Sequence, residues 1–405
     1  MLQREIKISL NAEMAVTDAA TVVQGCRVRF YQPAVCQMRR SIVAAFLVSI
    51  AFHVSLPALC ADAASPDDTA RFLAGMPLGS DSPLIQLTRD ASWQEHAKLF
   101  DDTWKGLDER QLSNIHAWTA ENIADPRPVL FYFFSGPDFL YANAFFPAAD
   151  TYVLAALEPV GRIPDVARLP RGLLPSTLHH LESSLGNILK LSYFITLDMD
   201  SKLRQTQLNG TLPVLYVFLA RSGKTIRDVS YVNLKDDGTV EAVTGTGTEK
   251  GVKITFSGSD GHVRTLYYFS TNLSNKGVRG SGSFLKFCGG LGTGDAFVKS
   301  ASYLLHGDEF SEVRNFLLAH SAAILQDDTG VPVSDFKPDL WDLRPYGTYT
   351  SPIGMFRHNF QSKLKGLYQN GHPEPINFGV GYKFKVNQSN LLLAVRKDTK
   401  ADAGQ

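Results

Sequence analysis

Cysteine is scarce. The chain has four, and Cys26, Cys36 and Cys60 all fall at or before a processing signal near the N-terminus. Only Cys288 lies beyond it, which excludes an internal disulfide and a cysteine-rich zinc site in the processed chain. A surplus of either charge is also missing, with Lys+Arg and Asp+Glu both at 40. No basic excess exists to neutralise phosphates or to hold an anionic membrane surface, so no nucleic-acid partner is expected. Beyond residue 63 no stretch is long and apolar enough to span a bilayer. The catalytic signatures are missing too. There is no G-x-S-x-G elbow, no S-x-x-K with its supporting motifs, no H-E-x-x-H and no P-loop, so no metal and no cofactor is indicated.

What is present begins with an export signal. Met38-Arg39-Arg40 supplies a basic start, and 42–54 is apolar apart from Ser49 and His53. Small residues at Ala61 and Ala63 then fit a cleavage site. Residues 1–63 therefore read as a signal peptide with an upstream extension, with translation starting at Met38, and the protein is expected in the periplasm or secreted. Small, turn-rich 64–83 reads as a linker, 84–396 as a single large α/β domain and 397–405 as a flexible tail.

The periodicities predict a mixed α/β fold with two β-α-β units, a parallel or mixed core sheet and an antiparallel insertion. Residues 92–121 are amphipathic and helical, with Trp93, Leu99, Trp104, Leu107, Leu112, Ile115 and Trp118 on one stripe. The apolar runs 129–134 and 152–157 flank a short helix over 139–146, as buried parallel strands would. A long helix is expected over 175–203 and a strand over 212–219. The runs 229–234, 240–244, 252–256 and 265–269 are separated by Asp-Gly turns and predict an antiparallel meander. After a Gly- and Ser-rich 272–294 with a possible strand at 284–287, helices are expected over 296–306 and 309–320. A strand over 322–325, an irregular wrap over 332–352, an amphipathic helix over 354–369 and a hairpin of 378–386 with 391–395 complete the expectation.

The stretch Phe131–Ser135 is echoed by 266–270, and 154–161 by 323–330. These would be two related halves, about 125–205 and 262–335. In open α/β sheets ligands bind outside the carboxyl ends of the strands. Two related units would set Ser135, Asp138 and Glu158 opposite Ser270, Asp327 and Asp328 across a cleft.

Each candidate has a plain alternative. Glu158, Asp327 and Asp328 have the chemistry for general acid and base work on a glycosidic or phosphoester bond, but Asp-rich turns are common. Asp138 fits the cap of the 139–146 helix. The turn at Ser135-Gly-Pro-Asp resembles the opening of a nucleotide-binding unit, yet Pro137 removes a phosphate-facing N–H. The glycines around Gly292 could cradle a phosphate, or form a flexible insertion before a helix capped by Asp295. His306 and His320 fall near helix ends, and His358 shares a helix face with Gln361.

The blocks FSGPDFLYANAFFP, LEPVG, KSASYLLH and LQDDTGVP resemble a family of uncharacterised exported bacterial proteins over about residues 90–385. That resemblance implies no activity and assigns no site residue. The expectation is an exported binding or envelope-associated protein, with a carboxylate-dependent hydrolase of envelope material as the alternative.

Overall fold

The computed structural model describes residues 63–194, 199, 202–203, 208–245 and 250–397. The expected signal segment through residue 62 and the tail from residue 398 lie outside them. In chain order, α1 (Pro66–Leu73), α2 (Ala91–Leu107) and α3 (Ser113–Asn122) precede β1 (Val129–Phe133), α4 (Phe139–Phe145) and β2 (Thr151–Ala156). Next come α5 (Leu174–Leu191), α6 (Leu212–Arg221), β3 (Thr225–Leu234), β4 (Val240–Val243), β5 (Gly251–Ser257) and β6 (Val263–Ser270). The remainder is α7 (Asn275–Ser281), α8 (Ser283–Gly290), β7 (Gly294–Val298), α9 (Ser311–His320), β8 (Ser321–Gln326), β9 (Trp341–Gly347), α10 (Ser362–Asn370) and β10 (Asn390–Arg396).

The strands form one ten-stranded mixed sheet in the order β4-β3-β5-β6-β2-β1-β7-β8-β10-β9. Five central strands, β6 through β8, are parallel, and antiparallel strands close both sides. The meander lies where the sequence places it, and its last strand, β6, pairs in parallel with β2. Side chains alternate between two cores. Leu130, Tyr132 and Leu154 face the core built with α1 to α6, whereas Phe131, Phe133 and Val153 face the one built with α7 to α9. From β1 the chain steps to β2 in one direction along the sheet, and from β7 to β8 in the other. The neighbours β1 and β7 therefore flank a switch point, and the two crossover helices lie on opposite faces.

Several expectations are corrected. The presumed linker holds α1, with Ser65 accepting the Asp68 N–H at 3.0 Å, Pro66 at the helix start and Phe72 fully buried. Its cap and first-turn acids are the helical signals that small polar composition hid. The expected strand at 212–219 is α6. Buried on every side, its apolar run carries no 3.6-residue signature. The possible strand at 284–287 is part of α8, with Phe284, Phe287 and Cys288 on one buried face. The expected helix at 296–306 begins as β7, and Ser300, Ser302 and Tyr303 then take positive φ, which no right-handed helix accommodates.

Helix α5 ends at Leu191, where Ser192 turns left-handed, and is not continuous to 203. The 332–352 wrap contains β9, whose Pro345 is tolerated because the strand is the sheet edge. No hairpin joins 378–386 to β10, which pairs instead with β8 and β9. The 354–369 helix is broken into a 3-10 turn, Gly354–Asn359, and α10. Of the echoed segments, β2 and β8 each form the outer strand of a parallel pair beside the switch point. The counterpart of β1, however, is β7, while β6 is simply the strand on the far side of β2.

Candidate binding site

At the switch point the chain leaves β1 through Phe134 (φ 62°) and Gly136 (φ 58°) to reach Asp138. Asp138 caps α4 as expected, with Oδ1 accepting the Tyr141 N–H at 3.1 Å. Its other oxygen accepts the Tyr132 hydroxyl at 2.8 Å and lies 2.9 Å from Nζ of Lys299, the first residue after β7. Both charged side chains are almost fully buried, at 2% and 1% exposure. Lys299 also donates to the Ser192 carbonyl and lies 4.0 Å from the centre of the Tyr141 ring. A desolvated pair is tolerated only when its remaining hydrogen-bonding capacity is filled in this way. Burial and the Asp138 charge push the Tyr132 hydroxyl well above its ordinary range.

At the end of β8 the two carboxylates are fully engaged. Asp327 Oδ1 accepts the Thr329 N–H at 2.9 Å and its hydroxyl at 2.5 Å, and Oδ2 accepts the Ser300 N–H at 2.9 Å. Asp328 accepts the Tyr303 hydroxyl on one oxygen and Asn390 Nδ2 at 3.0 Å on the other. Burial, reinforced by the Asp328 charge, raises Asp327 to about 6. These residues clamp the ends of β7, β8 and β10 together.

The other expected site residues do not converge on them. Glu158 is buried two residues past β2, and its carbonyl accepts the Tyr268 hydroxyl at 2.8 Å. Strand β2 is three positions from β8, or about 14 Å at the usual strand spacing. Ser135 Oγ donates to the Gly136 carbonyl at 2.8 Å. Ser270 ends β6, four strand positions from β8, and lines a separate hollow of about 650 Å³ together with Lys250 and Thr271. All six expected residues thus share the carboxyl edge of the sheet, but they belong to four different strands, β6, β2, β1 and β8, rather than facing each other across one cleft.

Gly292 lies at the opposite edge, in the turn after the carboxyl end of α8. Helix carbonyls point there, not N–H groups, which is the wrong polarity for a phosphate. Asp295 is a residue of β7 and not a helix cap. It accepts the N–H groups of Arg127 at 2.7 Å and Ala323 at 3.1 Å, and burial raises it to about 6.

The feature that sequence reasoning missed lies beside the carboxylate clamp. Six non-glycine residues have positive φ among the described residues, and four of them, Phe134, Ser300, Ser302 and Tyr303, follow β1 or β7. Strained backbone of this kind concentrates at functional sites. Tyr303 and the 3-10 turn at 354–359 open onto two adjoining hollows of about 610 and 590 Å³. The hollows share His306, Asp308, His358 and Asn359, and so form one groove at the carboxyl ends of β7 and β8. Tyr303, Phe310 and Phe356 wall the first hollow. Phe356 packs on Tyr303 at 5.0 Å and on Tyr382 at 5.6 Å between ring centres.

His306 is not a helix-end cation. Burial lowers it to about 4, so the ring is neutral, and Nε2 is buried without a hydrogen-bond partner. Asn359 Oδ1 is in the same condition. Gln361 is structural, accepting the Val333 N–H at 2.9 Å and donating to the Asp328 carbonyl at 3.3 Å. Arg314, which lines the second hollow, is held by Asp335 at 2.9 Å. Among the described residues no three His, Cys, Asp or Glu side chains gather closely enough to hold a metal ion.

Comparison with known proteins returns no match: no family model fits the chain, and neither a curated protein nor a solved structure is significantly similar to it.

Proposed function

We propose that this is an exported, non-enzymatic binding protein whose ligand occupies the groove at the carboxyl ends of β7 and β8. Export rests on the basic, apolar and small-residue pattern of 38–63. The site rests on one observation above the others. A groove with aromatic walls adjoins the strained turn at 300–303, and two of its lining residues carry acceptors that have no partner. Concave, largely apolar sites with a few convergent polar groups at strand carboxyl ends are where such sheets take ligands.

Hydrolysis by paired carboxylates has less support. The oxygens of Asp327 and Asp328 are occupied by backbone and side-chain donors, and Glu158 belongs to a strand about 14 Å away. Two carboxyls acting on one glycosidic bond stand roughly 5 to 9.5 Å apart.

Thermal unfolding of the protein with amines, amino acids, sugars and cell-wall fragments tests this. A ligand at a hundred times its Kd adds about 2.7 kcal/mol of stability. The shift is expected to vanish in Phe356→Ala and to survive in Glu158→Gln. A shift that Glu158→Gln abolishes and Phe356→Ala leaves intact would move the site to β2 and refute the groove.

A further inference from the structure

We infer that the ligand of the first hollow is a small organic cation, a primary or substituted ammonium carrying an apolar or aromatic body. This inference rests on the groove being the binding site and goes on to name what the groove selects. The hollow is lined by two acidic residues, Asp308 and Glu309, and by no lysine or arginine. Neither carboxylate is ion-paired among the described residues, and both residues are exposed at the mouth. Behind them stand three aromatic rings, Tyr303, Phe310 and Phe356. Ring faces attract a cation electrostatically and pack against an apolar body at the same time.

The partnerless polar atoms agree in sign. His306 is neutral, and its Nε2 is buried without a partner; with the ring proton on Nδ1 it offers a lone pair. Asn359 Oδ1 is an acceptor by nature. The two carboxylates and the two partnerless buried atoms therefore seek donors, and an ammonium brings only donors. An anion would meet two acidic residues and would find no lysine or arginine on the walls. A neutral polyol could satisfy the acceptors but would leave the paired negative charge unanswered. The second hollow differs, with Lys363 and Arg314 among its lining, so the cationic end of the ligand belongs to the first hollow alone.

Three probes sharing one aromatic body test the charge: 2-phenylethylammonium, 2-phenylethanol and phenylacetate, titrated into the protein by calorimetry alongside cellobiose. The ammonium is expected to bind at least tenfold more tightly than the alcohol, with phenylacetate weakest. The exposed double substitution Asp308→Asn, Glu309→Gln leaves the packing untouched and is expected to erase that preference. Binding of phenylethanol, phenylacetate or cellobiose as tight as the ammonium, and lost in Phe356→Ala, overturns the cationic class while the groove stands. Binding of none of the four, or binding indifferent to Phe356→Ala, overturns both.

Discussion

The carboxylate of Asp138 and the ammonium of Lys299 meet at 2.9 Å across the two strands between which the sheet changes direction. One residue follows β1 and the other follows β7, so the pair ties the two β-α-β units at their shared border. Both are buried, and each is also held by partners of its own unit or of the Ser192 turn. Removing one partner leaves an uncompensated charge, which is far more costly than removing both. Lys299→Met is expected to destabilise the fold by about 3–5 kcal/mol in urea unfolding, and Asp138→Asn combined with Lys299→Met by clearly less. A double variant no better than the single one would show that the pair is not coupled.

Asp295 predicts a pH dependence at the opposite edge of the sheet. Burial raises its carboxyl from the ordinary 3.8 to about 6, against the pull of two backbone N–H groups. The folded chain therefore holds this proton more tightly than the unfolded chain. The resulting stabilisation is fully present below about pH 4 and is lost as pH rises through 6. Two units correspond to about 3 kcal/mol at most, and Asp327 contributes with the same sign. Between pH 4 and pH 7 the slope of urea-unfolding stability against pH should be more positive in Asp295→Asn than in the unsubstituted protein. An unchanged slope in that variant would assign the dependence elsewhere.

How much of this was legible in the sequence depended on local signals. Strands β1 and β2 and the meander were readable because uninterrupted or alternating apolar runs bounded by turn residues leave few alternatives. The Asp138 cap was readable for the same local reason. Lys299 was not, because its role comes from β7 lying beside β1, a contact between residues 161 positions apart that no local pattern encodes. The positive φ values at Ser300, Ser302 and Tyr303 carry no glycine to announce them, so KSASYLLH reads as helix. Helix α6 was taken for a strand because complete burial erases the period. The groove is built from 302–314, 332–335 and 355–363, brought together by tertiary packing.

Gly381 tests the clamp at the end of β8. Its φ is +66°, and a Cβ there would stand 2.0 Å from Asp327 Oδ2. Gly381→Ala thus combines left-handed strain of roughly 1 kcal/mol with displacement of a buried carboxylate from its donors. A loss of about 2–4 kcal/mol is expected by chemical unfolding, since each disrupted buried polar contact costs about 1–3 kcal/mol. Gly354→Ala, at a position with open space and ordinary φ, is the control and should change stability by less than about 1 kcal/mol. Equal effects of the two substitutions would mean that the contact at Asp327 contributes nothing.

His306 supplies a dependence of the opposite sign to that of Asp295. Burial lowers its pKa from 6.5 to about 4, and the bond to the Gly330 backbone only partly opposes this. The unfolded chain then binds the proton first. Stability from this residue is present above about pH 6.5 and falls as pH drops toward 4, by up to about 3 kcal/mol. The two groups can be separated because the imidazole is visible by itself. Its ring carbon resonance in a proton–carbon NMR titration should stay in the neutral form down to about pH 4. If the His306 resonance titrated near the ordinary imidazole value of about 6.5, the ring would carry charge near neutrality. Nε2 would then be a donor, and the hollow would no longer present acceptors alone.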